Sequence, residues 1–147
     1  MKVYLGADHA GFEVKNKIRE HLAHNGYEVE DVGPHTLDPV DDYPKYAYLV
    51  STKVLGEDDS RGILVCGSGQ GVCMAANRVR GIRAALVWSQ EMARETRRDN
   101  DSNVLCLASR FTDEDTIMGI VDNWLEEKFS GEERHIRRLD ELEEIYG

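Results

Sequence analysis

Residues 61–71 read RGILVCGSGQG, a short apolar run that leads directly into a glycine-rich loop. Ile63 to Val65 are apolar, Cys66 follows them, and glycine then occupies positions 67, 69 and 71. The residues after this loop, VCMAANRV, have a helical pattern. A strand, a glycine-rich loop and a helix start together expose converging backbone N–H groups and the positive end of a helix dipole. The stretch therefore predicts a strand–loop–helix unit that can bind an anion.

Cys66 lies where the predicted strand meets this loop. The positive field of such a loop favours the thiolate, which makes Cys66 a candidate nucleophile or base. Cysteine is also a common residue of buried strands, and a glycine-rich segment can be only a tight turn. Residues 61–71 alone support the catalytic and the structural interpretation equally.

Strand-like and helix-like segments alternate along the whole chain. The strand-like segments are residues 2–6, 27–33, 62–66, 82–88 and 104–109. The helix-like segments are residues 11–26, 43–56, 72–79, 89–100, 112–129 and 134–146, with Ser89 and Thr112 as expected N-caps. Apolar strands separated by helices predict a Rossmann-like, doubly wound α/β fold, in which a five-stranded parallel sheet carries helices on both faces. We expect residues 1–147 to form a single domain, with a C-terminal helix at about 133–146.

In doubly wound sheets, ligands bind outside the carboxyl ends of the strands. This rule places three features of the sequence at one edge of the sheet: Asp8-His9 after the first strand, Cys66 with its glycines after the third, and Ser109-Arg110 after the fifth. The fold alone would thus bring an acid, an imidazole, a thiol, an anion-binding loop and a guanidinium to the same site.

Composition narrows the class of protein. The chain has 147 residues, of which 41% are hydrophobic and 31% charged, and no apolar run is long enough for a membrane span. The N-terminus lacks a signal-peptide pattern, and three cysteines without a CxxC motif suggest neither a disulfide framework nor a zinc site, so we expect a cytoplasmic protein. A net charge of −10 argues against nucleic-acid or anionic-membrane partners.

A cluster of basic residues near the C-terminus contrasts with this acidic background. Residues 112–147 contain twelve acidic and four basic residues, and three of those four lie in the segment RHIRR, at 134, 137 and 138. The cluster predicts a local site for an anionic small molecule, although it can also be an ordinary solvated helix face with i,i+4 ion pairs.

Taken in order, the motifs resemble one family over nearly the whole chain. They are GADHAG at 6–11, DDYP at 41–44, GILVCGSGQG at 62–71, AANRVRGIRAAL at 75–86, NDSNVLCLASR at 100–110 and RHIRRL at 134–139. This ordered set resembles the ribose-5-phosphate isomerase B family, which also includes the galactose-6-phosphate isomerase subunits. The resemblance implies a metal-independent, cofactor-free aldose–ketose isomerase of the pentose phosphate pathway, acting on ribose 5-phosphate.

Within that resemblance, Cys66 corresponds to the base that takes the C2 proton of the sugar. Another branch of the family uses a glutamate one residue past the glycine run, where this chain has Val72, so the chain is similar to the cysteine branch. The enediolate formed by proton removal needs an anion hole. The backbone at Gly67, Gly69 and Gly71 and the hydroxyl of Ser68 can supply one.

The family's substrate-binding residues carry over position by position. His9, Arg134 and Arg138 correspond to phosphate ligands, and the i,i+4 spacing of the two arginines predicts that both face one anion. Arg110 corresponds to an arginine supplied by a neighbouring subunit. Asp8 and Tyr43 are similar to residues near the sugar hydroxyls, and Asn100 to a residue contributed across a subunit interface. The resemblance therefore implies a homodimer or a dimer of dimers.

Position 99 departs from the family pattern. The family usually has a histidine there, assigned to opening the furanose ring, and this chain has Asp99. Either Asp99 replaces the histidine, or another group opens the ring, or the substrate is already open-chain. The last possibility fits a tetrose phosphate, which cannot form a furanose through a phosphorylated O4. The residues are also compatible with an allose or galactose 6-phosphate substrate, with a sugar-phosphate-binding protein that lacks catalysis, and with a thiol redox role for Cys66.

Overall fold

Five parallel strands form one sheet in the order β2-β1-β3-β5-β4, and the computed structural model describes all residues, 1–147. The strands are β1 (Lys2–Ala7), β2 (Glu28–Asp31), β3 (Ser60–Cys66), β4 (Ala84–Leu86) and β5 (Val104–Ala108). The helices are α1 (Phe12–His24), α2 (Tyr43–Leu55), α3 (Gln70–Ala76), α4 (Gln90–Asn100), α5 (Glu114–Glu126) and α6 (Glu133–Tyr146). The doubly wound α/β fold predicted from the sequence is confirmed. No helix combines the length and the apolar character needed to cross a membrane.

The two faces of the sheet follow from the alternation of side chains along each strand. On β3, Ile63 and Val65 pack with α1, α4 and α5, whereas Leu64 and Cys66 pack with α2 and α3. Each face has its own apolar cluster, and all three layers are therefore held by burial of apolar side chains. Because Cys66 is in phase with Leu64, its thiol lies on the face that α2 and α3 cover.

The edge strand β4 is shorter than the sequence pattern predicts. It spans only Ala84–Leu86 instead of residues 82–88. The side chain of Asn77 accepts a hydrogen bond from the Ala84 N–H at 2.8 Å and donates one to the Ala84 carbonyl at 2.9 Å. The Asn103 side chain likewise accepts from the Arg83 N–H at 2.7 Å. Side-chain amides thus bind the backbone groups of Arg83 and Ala84, where β4 begins.

The predicted N-cap of α4 is confirmed, and that of α5 is wrong by one residue. The Ser89 hydroxyl accepts a hydrogen bond from the Met92 N–H. In α5 the N-cap is Asp113, whose carboxylate accepts from the Thr116 N–H at 2.9 Å, whereas the expected cap, Thr112, has a buried hydroxyl without a partner. A carboxylate is the stronger acceptor at a helix N-terminus because it also interacts favourably with the helix dipole.

A buried ion pair joins α1 to the end of β2. The Lys15 side chain is 0% exposed, and its Nζ donates to both carboxylate oxygens of Asp31 at 2.9 Å and to the carbonyl of Pro34. Arg19 also contacts Asp31, at 3.1 Å, from the surface. These contacts hold the start of the loop between β2 and α2, and Asp41 lies near the other end of the same loop.

Replacement of Lys15 by methionine tests the importance of this pair. Lys15→Met leaves a buried carboxylate without its main partner, so we expect the free energy of unfolding to fall by about 3 kcal/mol. Lys17→Met is the matched control, because Lys17 pairs with Glu114 at the surface, where both side chains are 51% exposed. The control should cost less than about 1 kcal/mol. Equal losses for the two variants in urea unfolding would contradict a dominant role of the buried pair.

Candidate active site

The winding direction of the chain reverses between β1 and β3, and this is where doubly wound sheets open a crevice. A cavity of about 290 Å³ lies there, at the carboxyl ends of β1, β3 and β5. Its walls come from three loops and from the first turns of α2 and α3. It is lined by Asp8, His9, Ala10, Tyr43, Cys66, Gly67, Ser68, Gly71, Arg110 and Phe111.

Hydrogen bonds to backbone carbonyls hold the three loops together. The Ser109 N–H donates to the Cys66 carbonyl at 3.0 Å, and the Ser109 hydroxyl contacts the carbonyls of Ala10 at 2.7 Å and Cys66 at 3.2 Å. The Arg110 N–H donates to the Gly67 carbonyl at 3.0 Å. The loop after β5 is therefore fixed to the loops after β1 and β3.

The glycine-rich loop needs glycine at position 69 for a conformational reason. Gly69 precedes α3 with a φ of 71°, in the left-handed region that glycine tolerates best. A β-carbon there would also lie 2.5 Å from the Leu86 side chain and 3.0 Å from the Leu107 carbonyl carbon. The turn at Gly69 carries the chain from the loop after Cys66 into the seven-residue helix α3.

Cys66 is almost enclosed, with 4% of the residue exposed, and it lines the cavity at the end of β3. Arg110 covers the adjacent residue so closely that a β-carbon on Gly67 would lie 2.8 Å from its Nη1 atom. The Ser68 hydroxyl accepts a weak hydrogen bond from the Gln70 N–H at 3.3 Å. The loops after β3 and β5 thus bring a buried thiol, a half-buried hydroxyl and an exposed guanidinium to one cavity.

Tyr43 closes the α2 side of the cavity. It is the first residue of α2, and its ring lies so near Gly71 that a β-carbon at that position would approach it to 2.8 Å. A side chain at position 71 would therefore displace this ring. The phenol hydroxyl can donate or accept a hydrogen bond at the rim of the cavity.

Asp8 and His9 form the β1 side of the cavity. The Asp8 carboxylate accepts from the N–H groups of Ala10 at 3.0 Å and Gly11 at 3.2 Å, which stabilises the turn into α1. Asp41 accepts from the His9 N–H at 2.8 Å and contacts its Nδ1 at 3.0 Å. The hydrogen bond with Asp41 is the main reason that the pKa of His9 is raised above its ordinary value.

Asp41 is a site residue that the sequence patterns did not single out. It lies in the DDYP motif, where only the tyrosine was assigned a role. The acidic pair directly before a helix start was the available signal, but either carboxylate could have been an N-cap. The structure separates them, since Asp42 flanks α2 without a side-chain cap and Asp41 binds His9.

A second group of predicted site residues lies elsewhere. Asp99 and Asn100, at the end of α4, line a cavity of about 540 Å³ together with His135 and Arg138 of α6. This position is at the amino ends of the strands, because Asn103 precedes β5 and its carbonyl accepts from the Gly62 N–H near the start of β3. Within one chain, therefore, Asp99, Asn100 and Arg138 do not line the cavity of Cys66.

The surroundings of Asp99 include a buried imidazole. Asp99 contacts the Arg98 Nε at 3.2 Å and lies 3.9 Å from Nε2 of His135, whose Nδ1 is bound to the Ser130 hydroxyl at 2.6 Å. Arg134 does not line this cavity and forms an exposed ion pair with Glu132. In the single chain, the two arginines predicted to face one anion therefore do not share a cavity.

Arg110 requires a correction to what the resemblance implied. It was expected to reach the site from a neighbouring subunit, but it lines the Cys66 cavity of its own chain. The reason is the tether of its backbone to Gly67. The structure also brings no three His, Cys, Asp or Glu side chains together in a way that could hold a metal ion.

Comparison with known proteins gives the class to which this fold and site belong. Residues 3–142 match the model of the Ribose/Galactose Isomerase family, and the chain is a member of that family of isomerases. The match includes both cavities and most of α6.

Individual relatives agree along nearly their whole length. The chain is 44% identical over 140 residues to the probable ribose-5-phosphate isomerase B of Mycoplasma pneumoniae, covering 95% of this chain and 91% of the relative. It is 39% identical over 144 residues to ribose-5-phosphate isomerase B of Escherichia coli, covering 98% and 95%. The crystal structure of the Mycoplasma genitalium ribose-5-phosphate isomerase B with bound ribulose-5-phosphate superposes with a TM-score of 0.94 at 43% identity, covering 98% of this chain and 95% of the other.

Substitution of Gly69 tests how strongly the loop depends on its backbone. In Gly69→Ala, the left-handed conformation and the contacts with Leu86 and Leu107 should together lower the free energy of unfolding by about 2–4 kcal/mol. Gly131→Ala is the matched control, because Gly131 has a φ of 66° and nothing within 4 Å of its β-carbon position. It should cost only about 1 kcal/mol. Thermal and urea unfolding measure both, and similar losses would show that packing around Gly69 is unimportant.

Proposed function

We propose that this protein interconverts ribose 5-phosphate and ribulose 5-phosphate through an enediolate, with Cys66 as the base. The observation that carries the proposal is the largely buried Cys66 thiol, which lines one cavity together with residues of the glycine-rich loop, His9 and Arg110. Proton transfer next to a carbonyl needs a base close to carbon and donors for the developing oxyanion. The names of the relatives and the ribulose-5-phosphate bound to the Mycoplasma genitalium enzyme support the choice of substrate.

In this mechanism the Cys66 thiolate removes the proton from C2 of the open-chain aldose. The electron pair of the broken C–H bond forms the C1–C2 double bond, and negative charge develops on O1. The N–H groups of residues 67–71 and the Ser68 hydroxyl stabilise that charge. The Cys66 thiol then returns its proton to C1, while the hydroxyl proton moves from O2 to O1 and the carbonyl forms at C2.

The phosphate group is proposed to lie at the cationic end of the cavity. Arg110 supplies positive charge there, the pKa of His9 is raised mainly by its hydrogen bond with Asp41, and Asp8 and Tyr43 are placed to bind the sugar hydroxyls. The protein as a whole is strongly acidic, so this local charge is what attracts a dianion.

The remaining predicted residues can act only if a second copy of the chain supplies them. Asp99, Asn100, Arg134 and Arg138 lie away from the Cys66 cavity in one chain. Two large side chains beside that cavity, Phe111 and Trp88, are 79% and 61% exposed, as expected for a surface that a partner covers. We propose a homodimer in which each copy brings its Asp99 side to the Cys66 cavity of the other.

The presence of Asp99 is a specific reason to consider a second substrate. If the carboxylate cannot protonate the ring oxygen of a furanose, an open-chain tetrose phosphate becomes the better substrate. The proton-transfer machinery at Cys66 would be the same in both cases. The two substrates are therefore separated by comparing their rates of C2 proton exchange in one experiment.

Removal of the thiol tests the chemistry. Cys66→Ser should lower isomerisation and solvent-deuterium incorporation by about 10²–10⁴-fold, because a hydroxyl is a far weaker base at neutral pH. Cys73→Ser is the control, since Cys73 lies on α3 and lines neither the Cys66 cavity nor the Asp99 cavity. NMR should follow exchange into ribose 5-phosphate and erythrose 4-phosphate with metal chelated. Full activity in Cys66→Ser would reject the mechanism, and exchange only into the tetrose would change the substrate.

Mixing two inactive variants tests the shared site. Cys66→Ala and Asn100→Ala should each be inactive as homodimers. A mixed dimer would contain one intact site, formed by Cys66 of one chain and Asn100 of the other, so random reassortment should restore about a quarter of the wild-type rate. Subunits are exchanged by mild denaturation and refolding, with two preparations of Cys66→Ala as the control mixture. No recovery despite exchange would show that the two residues do not act in one site.

A further inference from the structure

His9 is held in one orientation by a residue 32 positions away in sequence. A single oxygen of Asp41, Oδ1, accepts from the His9 backbone N–H at 2.8 Å and contacts the ring Nδ1 at 3.0 Å. Two contacts to the same oxygen fix both the main chain and the ring. Nδ1 therefore carries the proton that faces Asp41, and the other ring nitrogen, Nε2, is left to the cavity that His9 lines.

Apart from His9, a neighbour of the Asp41 carboxylate is the Tyr46 phenol on α2, which carries no positive charge. The Asp41 side chain is 6% exposed, and its second oxygen, Oδ2, is buried without a hydrogen-bond partner. A buried carboxylate is costly unless a cation is paired with it. The side chain that can pair with it as a cation is a protonated His9, which is 37% exposed and lines the cavity.

We propose that Asp41 is a positioning residue that keeps His9 in its imidazolium form with Nε2–H directed at the anionic group of the substrate. A neutral His9 bonded to Asp41 through Nδ1–H would present a lone pair at Nε2, which repels an anion. The imidazolium presents a proton and a positive charge instead. The identification of that anion as a sugar phosphate rests on the proposed function, whereas the effect of Asp41 on His9 does not.

The titratable and charged groups that face His9 come from four parts of the chain. Asp8 is its neighbour in the same loop, Asp41 comes from the loop before α2, Arg110 from the loop after β5 and Cys66 from the end of β3. Asp41 and Asp8 raise the pKa of His9, and desolvation opposes them. On α2, the pKa of Tyr46 is raised by burial first and by Asp41 second, so this phenol stays neutral beside the pair. Tyr43, also on α2, lines the same cavity as His9.

The direct test is the titration of the His9 ring in the free protein. Asp41→Asn keeps an oxygen acceptor and removes the charge, so His9 should titrate at lower pH than in the wild type. Asp42→Asn is the matched control, because Asp42 is the exposed neighbour and makes no cap hydrogen bond. Ring ¹³C and ¹⁵N shifts, assigned with His9→Gln, report the titration from about pH 5 to about pH 9. Identical His9 curves in wild type and Asp41→Asn would overturn the proposal.

The KM and kcat of Asp41→Asn distinguish a role through His9 from a merely structural role of Asp41. In Asp41→Asn the KM for ribose 5-phosphate should rise about tenfold near neutral pH, the loss expected for one charged hydrogen bond, with kcat nearly unchanged. The rise should shrink as pH falls, because protonation of His9 no longer needs Asp41. In a His9→Gln background, Asp41→Asn should add no further increase in KM. An equal increase in both backgrounds would contradict a role through His9.

Two further measurements distinguish failure of the proposed function from failure of the proposed role of Asp41. Binding of inorganic phosphate to the free protein needs no turnover, and it should weaken in Asp41→Asn and remain unchanged in Asp42→Asn. If no sugar phosphate is isomerised but the His9 titration and phosphate binding shift as expected, the proposed function fails and the role of Asp41 stands. If Asp41→Asn does not fold, Asp41→Glu keeps the charge but displaces the carboxylate. A wild-type KM in Asp41→Glu would contradict positioning.

Discussion

The hydrogen bonds of Ser109 are the interaction on which the candidate active site depends. Its N–H and hydroxyl bind the carbonyls at the ends of two other loops, at Cys66 and Ala10. Parallel strands align their carboxyl ends, but only direct contacts fix the loops that follow them. These hydrogen bonds fix the Cys66 thiol, the Asp8-His9 turn and the Arg110 backbone relative to one another. A fixed arrangement of this kind reduces the reorganisation required when a substrate binds.

The distribution of charge explains how an acidic protein can hold an anion. The chain has a net charge of −10, yet its candidate cavity contains His9 and Arg110. Asp41 contributes to this contrast, because its buried carboxylate favours a cation at His9 while little of its own charge faces solvent. The acidic surface around this cavity repels larger polyanions, which favours a small anionic ligand over a nucleic acid.

The direction of α4 explains why one chain does not bring all predicted site residues into one cavity. A helix that covers a parallel sheet runs back from the carboxyl edge to the amino edge, so the end of α4 carries Asp99 and Asn100 away from Cys66. At that edge, Nε2 of His135 lies 3.9 Å from Oδ1 of Asp99. In the proposed homodimer, that edge of one copy would complete the cavity of the other.

The sequence by itself determined the order of strands and helices, the two-sided burial of the sheet and the position of Cys66 at a carboxyl strand end, because periodicity and glycine placement are local properties. It also placed Asp8, His9 and Arg110 at one edge through a general rule of the fold. The short edge strand, the N-cap at Asp113 and the cavity to which Arg110 belongs were decided only by tertiary structure. So was the pairing of Asp41 with His9, since contacts between distant loops depend on packing that no local pattern records.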